Sequence, residues 1–335
     1  MDDNMINIAI FGFGAVGQGV AEVLHRKKEL IEGFIGRYRV VAITDSKGSL
    51  TDEKGLNLME AIDIKKNKGF SGMKTLEVIE KVDFDVAIET TPTNVHSGEP
   101  GLTHIVKSME KNANVITSNK GPLVTDFKKL VKLAEKKGVR FMYEATVGGA
   151  MPIIKLAKND LAGNDVRVIK GVLNGTCNYI LTRMEKEKMT YSQVLSEAQE
   201  LKIAEADPSY DVEGIDSAAK LVILANSIMQ MNASFEDVEI TGITRITPES
   251  FEVAGSKNYT IRLIAEANRK KGFLKVSPRL VPRHHPLAIE GTMNAALIRT
   301  DLAGDIVVMG KGAGKYETAS AIVSDLIEVY RGMRE

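Results

Sequence analysis

Short apolar runs alternate with amphipathic stretches over the first part of the chain. INIAIF (6–11), RVVAIT (39–44), FDVAIET (84–90), NVITS (114–118) and VRFMYEA (139–145) are rich in Val and Ile, as strands buried on both faces are. Between them, VGQGVAEVLHRKKEL and TDFKKLVKLAEKKG carry helical spacing, the second closed by Gly138 as a C-terminal cap. Strand–helix alternation with continuously apolar strands predicts an α/β unit: a doubly wound parallel sheet with helices on both faces.

After about residue 150 the rhythm changes. DVRVIKGVL is strand-like, CNYILTRMEKEK is helical, and Thr190 with Gln193 forms a capping box for YSQVLSEAQEL. A long apolar helix, IDSAAKLVILANSIMQ, follows. YTIRLIAEA and FLKVSPRLV flank NRKKG as a hairpin, AALIRTD and DIVVMG are two further strands, and YETASAIVSDLIEVYRG is a last amphipathic helix. The expectation is a dinucleotide-binding domain over 1–147, completed by 306–335, and an α+β domain over 148–305 for substrate binding and dimerisation.

Composition narrows the function. With 335 residues the chain is long enough for two domains, and 44% hydrophobic with 26% charged residues is ordinary for a soluble globular protein. Lys+Arg and Asp+Glu both total 44, so nothing points to nucleic acid or an anionic membrane as partner. The single cysteine, Cys177, excludes an internal disulfide and fits a reducing compartment. An acidic N-terminus (MDDNM) and no apolar run of the ~20 residues a bilayer requires lead to a cytoplasmic expectation.

Candidate chemistry begins at Gly12-Phe13-Gly14-Ala15-Val16-Gly17, directly after the first strand and opening a helix. Gly12 permits the tight turn, Gly14 lets the backbone approach a pyrophosphate, and Gly17 allows close helix–strand packing. Asp45, at the end of the second strand, would bind ribose hydroxyls and favour NAD. Lys47 and Lys54 nearby could hold a 2′-phosphate and favour NADP, so the choice stays open. Thr90 and Thr91 leave the strand at 84–90 on the edge where such sheets bind ligands, and TSNKGP brings Lys120 to the same edge. A lysine by a helix N-terminus is electrostatically disfavoured, which an anionic or carbonyl ligand would explain. A second glycine loop, GKGAGK (310–315), is no Walker A motif but could return the chain to the cofactor.

The stretch AEADPSYDVEGIDSAAK (204–220) carries Glu205, Asp207, Asp211, Glu213 and Asp216, and ends on Lys220. Asp216 and Lys220 are one turn apart on an apolar helix, as either a structural ion pair or the wall of a polar cavity shared with Glu205. In the second case a carboxylate takes an ammonium and the lysine protonates an oxygen as a carbonyl is reduced. NGTCNY (174–179), with Thr176, joins a strand to a helix whose free N–H groups suit a carboxylate; an ordinary helix start capped by Thr176 is the alternative. EATVGGAMP (144–152) is either a hinge or a loop whose carbonyls, with Glu144, hold a monovalent cation. His284 and His285 are adjacent and lack a spaced third ligand, which argues against zinc.

Taken in order, GFGAVG, TSNKGP, EATVGGAMPII, GVLNGTCNYIL, AEADPSYDVEGIDSAAK, HHPLA and GKGAGKYETA resemble the homoserine dehydrogenase family over nearly the whole chain. The resemblance implies reversible NAD- or NADP-dependent interconversion of L-homoserine and L-aspartate 4-semialdehyde, on the route to threonine, isoleucine and methionine. It implies substrate binding by Glu205 and Asp216, proton donation by Lys220, and Lys120 between nicotinamide and substrate; Asp211 and Thr176 are further candidates for substrate binding. It also implies cofactor contacts from Gly12, Ala15, Val16, Thr90, Thr91, Lys120 and Gly312. A sodium or potassium site would use the main chain of Val147, Gly149 and Met151 with the Glu144 side chain, and a homodimer would form through the second domain. Cys177 stands where the family commonly has a hydroxyl residue. The final helix leaves no room for the ACT or aspartate kinase domains of some members, so feedback inhibition is not expected. Two rivals remain: aspartate-semialdehyde dehydrogenase, which would need Cys177 as nucleophile, and a non-catalytic NAD(P)H sensor.

Overall fold

The computed structural model describes residues 5–331. Its contacts divide the chain into two compact units, one running to Thr146 and resuming at Gly314, the other Val147–Ala313.

The first unit is built on six strands: β1 (Ile6–Phe11), β2 (Tyr38–Thr44), β3 (Ser49–Thr51), β4 (Val86–Glu89), β5 (Asn114–Thr117) and β6 (Phe141–Met142). Their order is β3-β2-β1-β4-β5-β6, parallel throughout except for β3, and it reverses direction between β1 and β4. Alternate side chains of β1 enter separate cores: Ile8 and Ile10 pack with the helices Ala15–Arg26 and Lys315–Tyr330, Ala9 and Phe11 with Gly101–Glu110 and Lys120–Lys137. Both faces are covered, so the sheet is doubly wound, of Rossmann type. Phe11 pairs with Thr44 and Glu89, and Glu89 with Thr117. Gly12, Asp45, Thr90 and Ser118 therefore leave the sheet along one edge, at the topological switch point where ligands of such sheets bind.

Three local expectations change. The strand expected at 139–145 shrinks to two residues because the Glu144 N–H turns to the Asp325 carboxylate (3.0 Å), leaving a 3-10 turn at Glu144–Thr146. The long first helix breaks at Lys27 into Ala15–Arg26 and Lys28–Ile35. The helix expected from Thr125 starts at Lys120 and bends at Asp126, whose φ is −137°.

The second unit holds β7 (Val166–Val172), β8 (Val238–Ile240), β9 (Tyr259–Asn268), β10 (Phe273–Pro282), β11 (Met293–Thr300) and β12 (Asp305–Lys311), in the order β12-β11-β7-β9-β10-β8. All pairs are antiparallel except β8 with β10. The domain boundary placed at 306 is corrected: β12 pairs with β11 from Asp305 to Lys311, so the chain rejoins the first unit only at Gly314. The helix Ile215–Met229 lies on this sheet and is buried almost all round, as its composition requires. It starts at Gly214, which has φ +88° and lies so close to Ile240 and Val276 that a Cβ would sit 3.1 and 3.2 Å from them.

Candidate active site

In the first unit, the three fingerprint glycines have three different surroundings. Gly12 has φ +95°, and a Cβ there would lie 2.6 Å from the Thr90 carbonyl carbon; at Gly17 it would lie 2.1 Å from the Gly12 oxygen. At Gly14, which precedes the helix Ala15–Arg26, a Cβ would meet nothing within 4 Å among the described residues. Two glycines thus close the turn while the third keeps the helix N-terminus open to a ligand, which fits a pyrophosphate. Thr90 braces the turn: its N–H donates to Phe11 O (2.7 Å) and its hydroxyl to Gly12 O (2.6 Å). Ala15 is exposed and Val16 half-buried, whereas the Phe13 ring is buried and stacks on Phe70 at 5.6 Å. Of Phe13, only the main chain is left to meet a cofactor.

Asp45 is buried and already engaged. Its Oδ1 accepts from the N–H groups of Lys47 (2.6 Å) and Gly48 (2.9 Å), and its Oδ2 from the Lys65 ammonium. Burial raises its carboxyl, but the Lys65 bond and the two N–H groups outweigh burial, and the net direction is down. Sequence reasoning missed Lys65, which comes from a separate helix, Leu58–Asn67. Lys74 lies against the same turn, donating to Ser46 O (3.0 Å) and Lys47 O (2.9 Å). Lys120 is the first residue of its helix, half-buried, with Asn119 as N-cap accepting from Gly121 N (3.0 Å).

The second unit gathers a polar cluster on the buried helix Ile215–Met229. Lys220 Nζ donates to Asp216 Oδ2 (2.6 Å) and to Leu173 O at the end of β7 (2.7 Å). Asn174 donates through Nδ2 to Asp211 Oδ1 (2.7 Å) and Asp216 Oδ2 (3.0 Å), while its Oδ1 accepts from Cys177 N (2.8 Å). Asn174, not Thr176, is therefore the cap of the helix Gly175–Glu187 and also the clamp on both aspartates. An Asn directly before Gly-Thr was the signal for it. The Thr176 hydroxyl donates to Ile203 O (3.2 Å). The acidic stretch divides: Asp211 and Asp216 join the cluster, Asp207 caps its own turn at Ser209, and Glu205 is exposed, its carbonyl engaged by Gln199. The Tyr210 hydroxyl is buried without a partner among the described residues, and burial followed by Asp216 and Asp211 raises it far above the usual phenol range.

Cys177 is fully buried, its thiol donating to Asp211 O (3.1 Å). Burial, then the Asp211 and Asp216 carboxylates, hold the thiol well above its ordinary value. A nucleophilic thiolate, which aspartate-semialdehyde dehydrogenase chemistry needs, is disfavoured at this position.

Of the residues named for a cation, Glu144 belongs to the first unit and is buried. Val147, Gly149 and Met151 belong to the second; Gly149 has φ +55°, and the Met151 carbonyl accepts from Ile153 N (2.9 Å). Gly312 packs on Asn294, where a Cβ would lie 1.8 Å from Nδ2.

Residues 12–144 match the family model described as homoserine dehydrogenase, NAD binding domain, and residues 152–327 match the one described as homoserine dehydrogenase. The homoserine dehydrogenase of Methanocaldococcus jannaschii is 50% identical, over 98% of this chain and 100% of its own. The chain belongs to the homoserine dehydrogenase family. A crystal structure of a putative homoserine dehydrogenase from Archaeoglobus fulgidus matches with a TM-score of 0.92 at 58% identity, covering 98% of this chain and 100% of that one. A hyperthermophilic archaeal homoserine dehydrogenase in complex with NADPH matches with a TM-score of 0.83 at 29% identity, covering 99% and 98%. The reaction is thus NAD(P)-dependent interconversion of L-homoserine and L-aspartate 4-semialdehyde, and neither rival is favoured. No helix among the described residues is long and apolar enough to cross a membrane.

Proposed function

We propose that Lys220 is the proton donor and acceptor at the substrate oxygen, and that Asp216, Asp211 and Asn174 hold it in place. The carrying observation is its hydrogen bonding: an ammonium has three N–H donors, and Leu173 O and Asp216 Oδ2 take two of them. The third is left for an aldehyde oxygen during reduction. In the oxidative direction the same nitrogen, as a free amine, takes the hydroxyl proton of homoserine while the C–H bond breaks. The nicotinamide, when bound, accepts or supplies the hydride. Lys120 stands at the cofactor edge to orient the substrate oxygen. Backbone N–H groups at Gly175 and Thr176 receive the substrate carboxylate, and Glu205 receives its ammonium.

Glu205 is supported by its exposed carboxylate, which has no partner among the described residues. Glu205→Ala raises the Michaelis constant for homoserine roughly tenfold or more, the scale of one charged hydrogen bond, and leaves cofactor binding unchanged. An unchanged Michaelis constant in steady-state assays returns Glu205 to the solvated loop.

We further read the cofactor site as favouring NADP(H). Asp45 spends its charge on Lys65, and Lys47 and Lys74 add cations at the same turn, whereas Lys54 follows β3 back to the level of Val40 and Val41, away from Asp45. Lys65→Ala frees Asp45 and removes a cation, so the affinity ratio of NADPH to NADH falls about tenfold or more. Fluorescence titration with both reduced cofactors measures this; an unchanged ratio removes Lys65 from selection. A monovalent cation at Glu144, Val147, Gly149 and Met151, a cytoplasmic location and a homodimer complete the reading. Exposed Val307 and Met309 on edge strand β12 support the homodimer, which light scattering tests.

A further inference from the structure

Glu89, the last residue of β4, is completely buried and is satisfied by hydroxyl and amide donors. Its Oε1 accepts from Thr91 N (3.0 Å) and from the Thr91 hydroxyl, and its Oε2 shares the Thr117 hydroxyl proton (3.3 Å) with Glu89 O (3.1 Å). Buried His104 stands beside it, Nδ1 3.7 Å from Oε1. From these two threonines the bonds run on to Asn119. Asn119 donates from Nδ2 to the Thr91 hydroxyl oxygen (3.2 Å) and Pro92 O (3.3 Å), donates from its N–H to the Thr117 hydroxyl oxygen (2.9 Å), and accepts from Gly121 N at Oδ1 (3.0 Å).

Main-chain groups fix part of the pattern: the Gly121 N–H can only donate to Asn119, and Pro92 O can only accept from it. The Thr91 hydroxyl gives its one proton to Glu89 and is left as an acceptor for Asn119. Asn119 therefore turns its NH2 group toward Thr91 and its oxygen toward Gly121, which caps the helix that begins with Lys120. We propose that Glu89 is a positioning residue for the cofactor edge: its buried carboxylate takes the Thr91 amide and hydroxyl protons, leaves the Thr91 oxygen to accept from Asn119, and so braces the Thr90–Thr91 turn against the start of the Lys120 helix. The proposal rests on the reading that Thr90, Thr91 and Lys120 meet the nicotinamide cofactor.

The test is titration of the full-length protein with NADPH, followed by fluorescence, without substrate. Glu89→Met removes both acceptor oxygens at similar length and weakens NADPH binding about tenfold or more, the scale of a charged hydrogen bond. Glu89→Gln keeps one oxygen for Thr91 and recovers most of the affinity. Asn119→Asp retains a good cap but cannot donate to Thr91 or Pro92; it reproduces the loss, and combining it with Glu89→Met adds little. A folded Glu89→Met protein that binds NADPH like the parent overturns the proposal, as does a Gln variant as weak as the Met variant. If Glu89→Met does not fold, unchanged binding in Asn119→Asp overturns it alone. Failure of the parent protein to bind NADPH at all would instead sink the underlying cofactor reading.

Discussion

Replacing Lys220 by alanine lowers turnover of homoserine by about 10²–10⁴-fold, the range for loss of a positioned acid–base group, while NADPH binding stays within a small factor of the parent. The asymmetry follows from where Lys220 sits. It belongs to a helix of the second unit, and its partners, Asp216 and Leu173, lie in that unit too. The fingerprint glycines and Thr90 belong to the first. Stopped-flow measurement of hydride transfer separates the chemical step from cofactor release. Turnover near that of the parent protein would remove Lys220 as the proton carrier.

The second large effect concerns stability. Asp216→Ala leaves the Lys220 ammonium buried with Leu173 O as its remaining acceptor in the second unit, and such an uncompensated charge costs about 3–5 kcal/mol. The pair is nearly sealed from water, with 6% exposure for Asp216 and 7% for Lys220, so solvent screening relieves little of this. Lys220→Met combined with Asp216→Ala removes both charges and restores much of the stability, but not the activity. Urea unfolding of both variants, followed by a probe in the second unit, measures the difference. Equal stability of Asp216→Ala and the double variant would mean that the pair titrates or hydrates freely.

Much of this architecture was legible because its signals are periodic or local. The glycine fingerprint after INIAIF, the Val/Ile strands and the capping box at Thr190 each specify a backbone geometry from a few adjacent residues. The missed features depend on partners distant in sequence. Lys65 reaches Asp45 across 20 residues, Asn174 reaches Asp216 across 42, and Thr117 reaches Glu89 across 28. No periodicity announces such pairs. The start of the Lys120 helix was hidden for a different reason: Asn-Lys-Gly-Pro reads as a turn, yet Pro122 falls in the first helical turn, where its missing N–H costs nothing. The three-residue strand β8 was too short to show alternation. Within the acidic stretch, sequence alone could not divide Asp211 and Asp216 from Glu205 and Asp207, because the division depends on which carboxylates fold back onto Asn174, 37 and 42 residues away for Asp211 and Asp216.

The central claim is that the Lys220 cluster carries protons for the oxidation of L-homoserine by a nicotinamide cofactor. Its most direct test is the near-ultraviolet absorbance of reduced nicotinamide when purified protein is mixed with L-homoserine and NADP or NAD, with Lys220→Ala run in parallel. The account predicts homoserine-dependent reduction by the parent protein, faster at limiting NADP than at limiting NAD, and near-baseline reduction by the variant. Equal rates for parent and variant, or no reduction by a parent protein that binds the cofactor, would contradict it.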